Sequence, residues 1–216
     1  MASIPERLAR LDSCAVSDAL DRLGMKGATY GIRPLWEGAR VVGRVQTVKV
    51  KPVGLEPARE HLGLAAIMQA QPGDVIVVDN GGRIDVSTWG GLLALSAQSR
   101  GINGVIIDGA CRDLDEFRTM KFPVFARGGV PMTARGRVMQ QAVNVEIACG
   151  GVLVSPGDWV IADASGVVFI PAAKAEEVLA AAEAVAEREA RMAEAIRQGV
   201  PPDQALGGYE GMLRRD

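Results

Sequence analysis

The segment Asp108-Gly109-Ala110-Cys111-Arg112-Asp113-Leu114-Asp115-Glu116 carries the densest set of groups able to do chemistry. Arg112 offers a planar fork of N–H donors that matches a carboxylate with two parallel hydrogen bonds. Asp113 and Glu116 lie three apart at an expected helix start, so both point to one side. Hard oxygen ligands of that kind suit Mg2+ or Mn2+, which keep several waters and need few protein groups. The same residues also suit a plainer role: an acidic first helical turn complementing the helix dipole, with Arg112 in a surface ion pair. A second segment, Trp89-Gly90-Gly91-Leu92-Leu93, opens a helix. Amide N–H groups there lack intrahelical partners and favour an anion. Gly90 and Gly91 would let a ligand approach the backbone closely, or serve only the turn.

Scarcity narrows the chemistry further. His61 is the single histidine, which excludes zinc sites built on two or three imidazoles. A Ser-His-Asp or Cys-His hydrolase would have to use His61 itself. His61 reads as a proton relay near the glycine loop or as a hydrogen-bonded structural residue. Lysines are limited to Lys26, Lys49, Lys51, Lys121 and Lys174. Lys49 and Lys51 share a strand face and could supply a Schiff base, or could be solvated or ion-paired. Cys111 is either a thiol with a pKa lowered by Arg112 or a small buried spacer. Arg127, Arg135 and Arg137 form a basic cluster that could hold a distal carboxylate or face solvent.

The elements that must position these groups follow from periodicity. Ser3 and Glu6 fit a capping box, and Leu8, Leu11, Ala15, Ala19 and Leu23 recur at helical spacing, with a restart possible at Asp12-Ser13. Residues 39–53 alternate as a long strand, and residues 56–70 read as a short helix closed by Pro72-Gly73-Asp74. The apolar run 75–78 is a strand buried on both faces. A glycine-rich loop over 80–91 and a helix over 92–100 follow. Strand 105–107, helix 113–120 and strand 123–125 complete a βαβαβ unit with parallel strands. Residues 143–170, broken by Cys149-Gly150-Gly151, Pro156-Gly157-Asp158 and Ser165-Gly166, read as antiparallel strands and turns. A long helix over 172–198 has a thin apolar face, Val178, Leu179, Val185 and Met192, and calls for a neighbour, another subunit being a candidate. The division expected is a catalytic α/β domain over 1–171 and a C-terminal helical arm over 172–216.

The bulk composition excludes several classes. The 216 residues are 48% hydrophobic and 23% charged, with a net charge of -2 and 4% aromatic residues. Nucleic acid is not an expected partner, since phosphate binding leaves a basic footprint. The three cysteines, Cys14, Cys111 and Cys149, form no CxxC pair. No apolar run is long enough to span a bilayer, and the N-terminus lacks a signal-peptide pattern, so a cytoplasmic protein without membrane contacts is expected.

Together, Gly73-Asp74-Val75, Trp89-Gly90-Gly91-Leu92-Leu93-Ala94 and Asp108-Gly109-x-x-Arg112-Asp113 resemble one family. It joins 4-hydroxy-4-methyl-2-oxoglutarate/4-carboxy-4-hydroxy-2-oxoadipate aldolases with the RraA-type regulators of ribonuclease E. The family's spacing of twenty residues between loop position and Arg-Asp pair is met by Gly91 and Arg112. Its acid three positions after the Asp is met by Glu116. Val16-Ser17-Asp18-Ala19-Leu20 and Ser165-Gly166-Val167-Val168 also look familiar, so the likeness covers roughly residues 12–170.

The resemblance implies a three-layer α/β sandwich with a partly parallel, swivelling-domain-like sheet, assembled as a homotrimer or homohexamer. It implies a class II pyruvate aldolase acting on a small 2-oxo acid. Arg112 and the backbone N–H groups of Leu92 and Leu93 would hold the pyruvate-like end. Asp113 would bind the metal largely through water, and the metal would stabilise the enolate left by carbon–carbon cleavage. A glutamate from a neighbouring subunit's C-terminal helix, Glu189 or Glu187, would complete the metal's surroundings. Aldolase members tend to carry an acid where this chain has Gly91, so Glu116 or a water would have to handle the proton. Oxaloacetate decarboxylation uses the same enolate. The alternative is an RraA-type, protein-binding regulator; the long C-terminal helix and the Arg112-Asp113-x-x-Glu116 set favour the enzyme.

Overall fold

The computed structural model describes residues 2–55 and 61–207. The expected opening helix is two: α1 (Ile4–Leu8) and α2 (Ser13–Arg22). Ser3 N–H donates to the Glu6 carboxylate at 2.7 Å. Asp12 restarts the chain by accepting the Ala15 N–H at 2.8 Å, an N-cap that satisfies one orphan donor.

The central strand is β2 (Val41–Pro52), preceded by the short β1 (Arg33–Pro34). After α3 (Leu64–Gln69) come β3 (Val75–Ser87), α4 (Gly91–Ser99), β4 (Gly104–Cys111), α5 (Leu114–Met120) and β5 (Val124–Gly129). Part of the helix expected over 56–70 lies outside the described residues; the described part is confined to α3. β6 (Val138–Val143), β7 (Ile147–Cys149), β8 (Val152–Val154), β9 (Trp159–Asp163) and β10 (Gly166–Ile170) follow, then a 3-10 turn and α6 (Ala175–Arg197).

The main sheet runs β1-β5-β4-β3-β2-β9-β10, with β6 added beside β2. β2, β3, β4 and β5 are parallel, while β1, β6, β9 and β10 join antiparallel. This is the mixed α/β sheet expected from alternating buried strands and helices. One correction concerns the glycine-rich stretch, which is mostly strand rather than loop. Gly81 and Gly82 take positive φ, +62° and +73°, so the chain loops outward. It then rejoins β4, with Arg83 opposite Gly109 and Ser87 opposite Ala110.

Alternation sorts the strand side chains between two cores. Ile76, Val78, Val105, Ile107 and Val124 face α3, α4 and α5 through Ile67, Ala94, Ala97 and Phe117. Val75, Val77, Ile106 and Phe125 face the other way, onto the β7–β8 hairpin and onto β9 and β10. Two Pro-Gly-Asp turns repeat one device at the entries to β3 and β9. In each, the Asp carboxylate accepts the N–H three residues back, Asp74 from Gln71 and Asp158 from Ser155, both at 2.8 Å.

A third core joins α1 and α2 to α6 over Ile161, Val168 and Ile170. The apolar face of α6 is thus covered within the chain as far as Val185, and beyond Val185 no residue of the helix is buried. Among the described residues no helix is long and apolar enough to cross a membrane. Leu179 is fully buried in this core. Leu179→Ala should therefore lower unfolding free energy by about 2–5 kcal/mol in urea titration. A loss well below about 1 kcal/mol would contradict this packing.

Candidate active site

The parallel register of β3 and β4 brings the two motif segments together past the strands' carboxyl ends, where ligands sit in open α/β sheets. Thr88 N–H donates to Ala110 O at 3.1 Å and Arg112 N–H to Trp89 O at 3.0 Å. These two bonds lace the segments side by side. Asp113 then turns left-handed, φ +63° and ψ +41°, a conformation that Asp tolerates better than most side chains. The turn swings its carboxylate back onto the start of α4. Oδ2 accepts the Gly91 N–H at 2.9 Å and lies 3.3 Å from Arg112 Nε.

Glycine at 90 and 91 is required by these side chains. A Cβ on Gly90 would come within 2.6 Å of Asp113 Oδ2 and 3.1 Å of Arg112 Nε. A Cβ on Gly91 would overlap Glu116 Oε2. The Glu116 carboxylate therefore occupies the space in which a side chain at 91 would begin. It approaches α4 from the side and is not among the residues lining the adjacent cavity.

That cavity has a volume of about 300 Å3, at the small end for ligand sites. Gly90, Leu92, Leu93, Arg112 and Asp113 form one wall. Among the described residues the Leu92 and Leu93 N–H groups, the Arg112 Nη atoms and Asp113 Oδ1 have no protein partner, so three kinds of anion or cation contact remain open. Thr88 and Trp89 also line it, and among the described residues Thr88 Oγ1 and Trp89 Nε1 are buried without a partner. Such atoms in a native fold call for a partner.

His61, Leu62, Thr133, Ala134, Arg135, Gly136, Val138 and Met139 also line the cavity. His61 Nδ1 lies 3.0 Å from Leu62 O. Of the three basic residues considered together, only Arg135 lines the cavity. Arg127 pairs with Asp108, Nε to Oδ1 at 2.5 Å, and the other Asp108 oxygen accepts the Gly150 N–H at 2.8 Å. Asp108 is thus a buried brace rather than a ligand group. Arg137 donates to Thr133 O at 3.2 Å. Lys49 and Lys51 do not line the cavity.

Cys111 is fully buried. Burial, and then the Asp113 charge, push its thiol up to about 12, the opposite of a lowered pKa. It is a spacer. Glu189 sits on α6 with Asp12 and Asp18 as its charged neighbours, and desolvation followed by their charge raises its carboxyl pKa. Within one chain it does not line the Arg112 cavity.

The donor set bears on which cation could be held. Among the described residues no three His, Cys, Asp or Glu side chains converge. One carboxylate with a free oxygen fits Mg2+ or Mn2+ that keeps most of its water, and does not fit a closed protein cage.

A cavity lined by Arg112, Asp113 and the α4 N-terminus opens at the strand ends of a mixed α/β sheet. The chain matches the RraA-like family, described as Aldolase/RraA, over residues 13–169, and it belongs to that family. It is 38% identical over 170 residues to a Halalkalibacterium halodurans protein named "Putative 4-hydroxy-4-methyl-2-oxoglutarate aldolase", covering 78% of this chain and 77% of that one. A crystal structure of an uncharacterized Pseudomonas syringae protein superposes with TM-score 0.86 at 37% identity, covering 94% and 96%. Streptomyces coelicolor RraAS2, described as an unusual member of the RNase ES inhibitor RraA family, superposes with TM-score 0.77 at 29% identity, covering 86% and 93%. The chain spans only 34% of the length of a further relative, Protein DlpA of Legionella pneumophila, to which it is 32% identical over 97% of its own length.

Two outcomes test this geometry. The nearest atoms to a Cβ at 90 are side-chain atoms of Asp113 and Arg112, so Gly90→Ala should keep its Tm within a few degrees; a much larger loss in thermal unfolding would contradict this packing. At about pH 8, iodoacetamide should alkylate exposed Cys14 and spare Cys111 until the protein unfolds. Rapid native labelling of Cys111, seen by peptide mass, would contradict its burial.

Proposed function

We propose that this chain is a divalent-metal-dependent lyase that cleaves a small 4-hydroxy-2-oxo acid to pyruvate, with decarboxylation of oxaloacetate through the same enolate. The observation that carries the reading is Arg112 and Asp113 pinned together at the α4 N-terminus, beside the unpartnered Leu92 and Leu93 N–H groups. The name of the Halalkalibacterium relative supports the aldolase branch. The RraAS2 likeness keeps the regulator reading as the rival.

In this reading the Arg112 guanidinium takes the substrate carboxylate, and the Leu92 and Leu93 N–H groups orient it with the positive end of the helix dipole. Asp113 would hold a divalent ion largely through water, and that ion would supply the Lewis acid that carbon–carbon cleavage next to a 2-oxo group calls for. A water in the cavity takes the 4-hydroxyl proton as the C3–C4 bond breaks, and Glu116, which rests on Gly91 and does not line the cavity, acts only as the acceptor beyond that water. Water then returns a proton to C3, which completes pyruvate and leaves the second product as a carbonyl compound. Asp113 holds its carboxylate against Arg112 Nε and keeps the fork in place. Buried Trp89, Leu62 and Val138 limit water at the reacting carbons.

The assembly proposed is a homotrimer or homohexamer. Leu64, Met68, Leu92 and Leu95 stand exposed on α3 and α4, next to the cavity, which suits a subunit contact there. A neighbour's Glu189 could then approach the Asp113 site, which it does not do within one chain.

Incubation with oxaloacetate or 4-hydroxy-4-methyl-2-oxoglutarate and Mg2+ should release pyruvate in a lactate dehydrogenase assay, and chelation should stop it. Arg112→Lys keeps the charge but loses the fork, so kcat/KM should fall by about 10²-fold. No turnover with Mg2+ or Mn2+ would exclude the lyase and favour the regulator.

A further inference from the structure

His61 lines the same cavity as Arg112 and Asp113, and the lyase reading gives it no task. The backbone that carries it is fixed from both β3 and β6. Leu62 is buried against Val86 and Val138. Gly63, at φ +81°, lies so close to the Trp89 ring that a Cβ there would come within 2.8 Å of it. The Gly63 N–H donates to Gln140 Oε1 at 3.2 Å, and the Leu64 N–H donates to His61 O at 3.1 Å. Trp89 immediately precedes Gly90, so the imidazole is held in one frame with the glycine loop, yet it stays exposed. Its surroundings also select a tautomer. Nδ1 lies 3.0 Å from Leu62 O. A carbonyl oxygen can only accept, so Nδ1 carries the hydrogen and Nε2 is the nitrogen that takes up and gives a proton.

The reaction calls for such a group. When the C3–C4 bond breaks, its electron pair stays with C3, and pyruvate is complete only once C3 gains a proton. Among the described residues the ionisable side chains lining the cavity are His61, Arg112, Asp113 and Arg135. The two guanidinium groups stay protonated. Asp113 is engaged with the Gly91 N–H and Arg112, and Glu116 lies outside the lining. Of these side-chain types, only imidazole ordinarily changes charge between about pH 5 and 8. We propose that His61 is the proton donor of the reaction, its imidazolium Nε2–H protonating the water that protonates C3. The imidazole is left neutral and, being exposed, regains its proton from solvent. The inference rests on the lyase reading. Oxaloacetate isolates the step, because it loses CO2 with no hydroxyl proton to remove, and C3 must still be protonated.

The test uses the full chain with Mg2+ and oxaloacetate, following pyruvate release. His61→Gln should lower kcat by about 10²-fold with little change in KM, and should keep the wild-type Tm because the position is exposed. The wild-type kcat should fall as rising pH removes the imidazolium, and that dependence should vanish in His61→Gln. His61→Ala should regain part of its rate when imidazole is added. A second readout needs no turnover: His61 is the single histidine, so NMR of the histidine ring nitrogens reports on it directly. The neutral ring should show hydrogen on Nδ1 and a bare Nε2. The opposite tautomer, or a His61→Gln variant with the wild-type rate and pH profile, overturns the proposal. The two ideas fail differently. No turnover by the wild type with Mg2+ or Mn2+ sinks the lyase and this step with it, whereas turnover that His61→Gln leaves intact sinks this step alone.

Discussion

The site depends on one local constraint, the left-handed turn at Asp113. Without it the carboxylate would follow α5 outward and leave the Gly91 N–H and Arg112 Nε without that partner. With it, a single oxygen accepts the Gly91 N–H and lies beside Arg112 Nε. A non-glycine residue in this region costs of order 1 kcal/mol or more, which the backbone bonds on either side offset. The glycines at 90 and 91 are the complement of that turn, because any side chain there would displace the Asp113 or Glu116 carboxylate.

The same constraint explains how so few chemical groups can be enough. Among the described residues one carboxylate, Asp113, lines the cavity, and no three His, Cys, Asp or Glu side chains converge to enclose a metal. The chain can leave most of a cation's coordination to water and ligand while fixing the organic anion by a guanidinium and a helix end. The three buried carboxylates among the described residues are committed elsewhere: Asp108 to Arg127 and the Gly150 N–H, and Asp74 and Asp158 to the turns that start β3 and β9.

Much of this was legible in the residues. The apolar runs at 75–78 and 105–107 read as buried parallel strands, as β3 and β4 are, and the pairing of the Gly90-Gly91 and Arg112-Asp113 segments follows from strands that lie side by side. The outward loop at Gly81 and Gly82 was not legible, since glycines mark a loop and an interrupted strand alike. Nor was the rest of the cavity lining. Val138 and Met139 carry no motif, and of Arg127, Arg135 and Arg137 nothing in the sequence said which would find a buried acid and which would line the cavity. The seating of Glu116 on Gly91 was hidden for a similar reason: a missing side chain at one position is filled from another, and only three-dimensional proximity reveals it.

The central claim, that one pocket holds an organic acid and a divalent cation together, is tested most directly by anomalous diffraction from crystals soaked with Mn2+ and oxalate. The account predicts oxalate bonded to Arg112 and to the Leu92 and Leu93 N–H groups, with the manganese peak between oxalate and Asp113. Manganese and oxalate found at separate places, or oxalate bound away from Arg112, would contradict it.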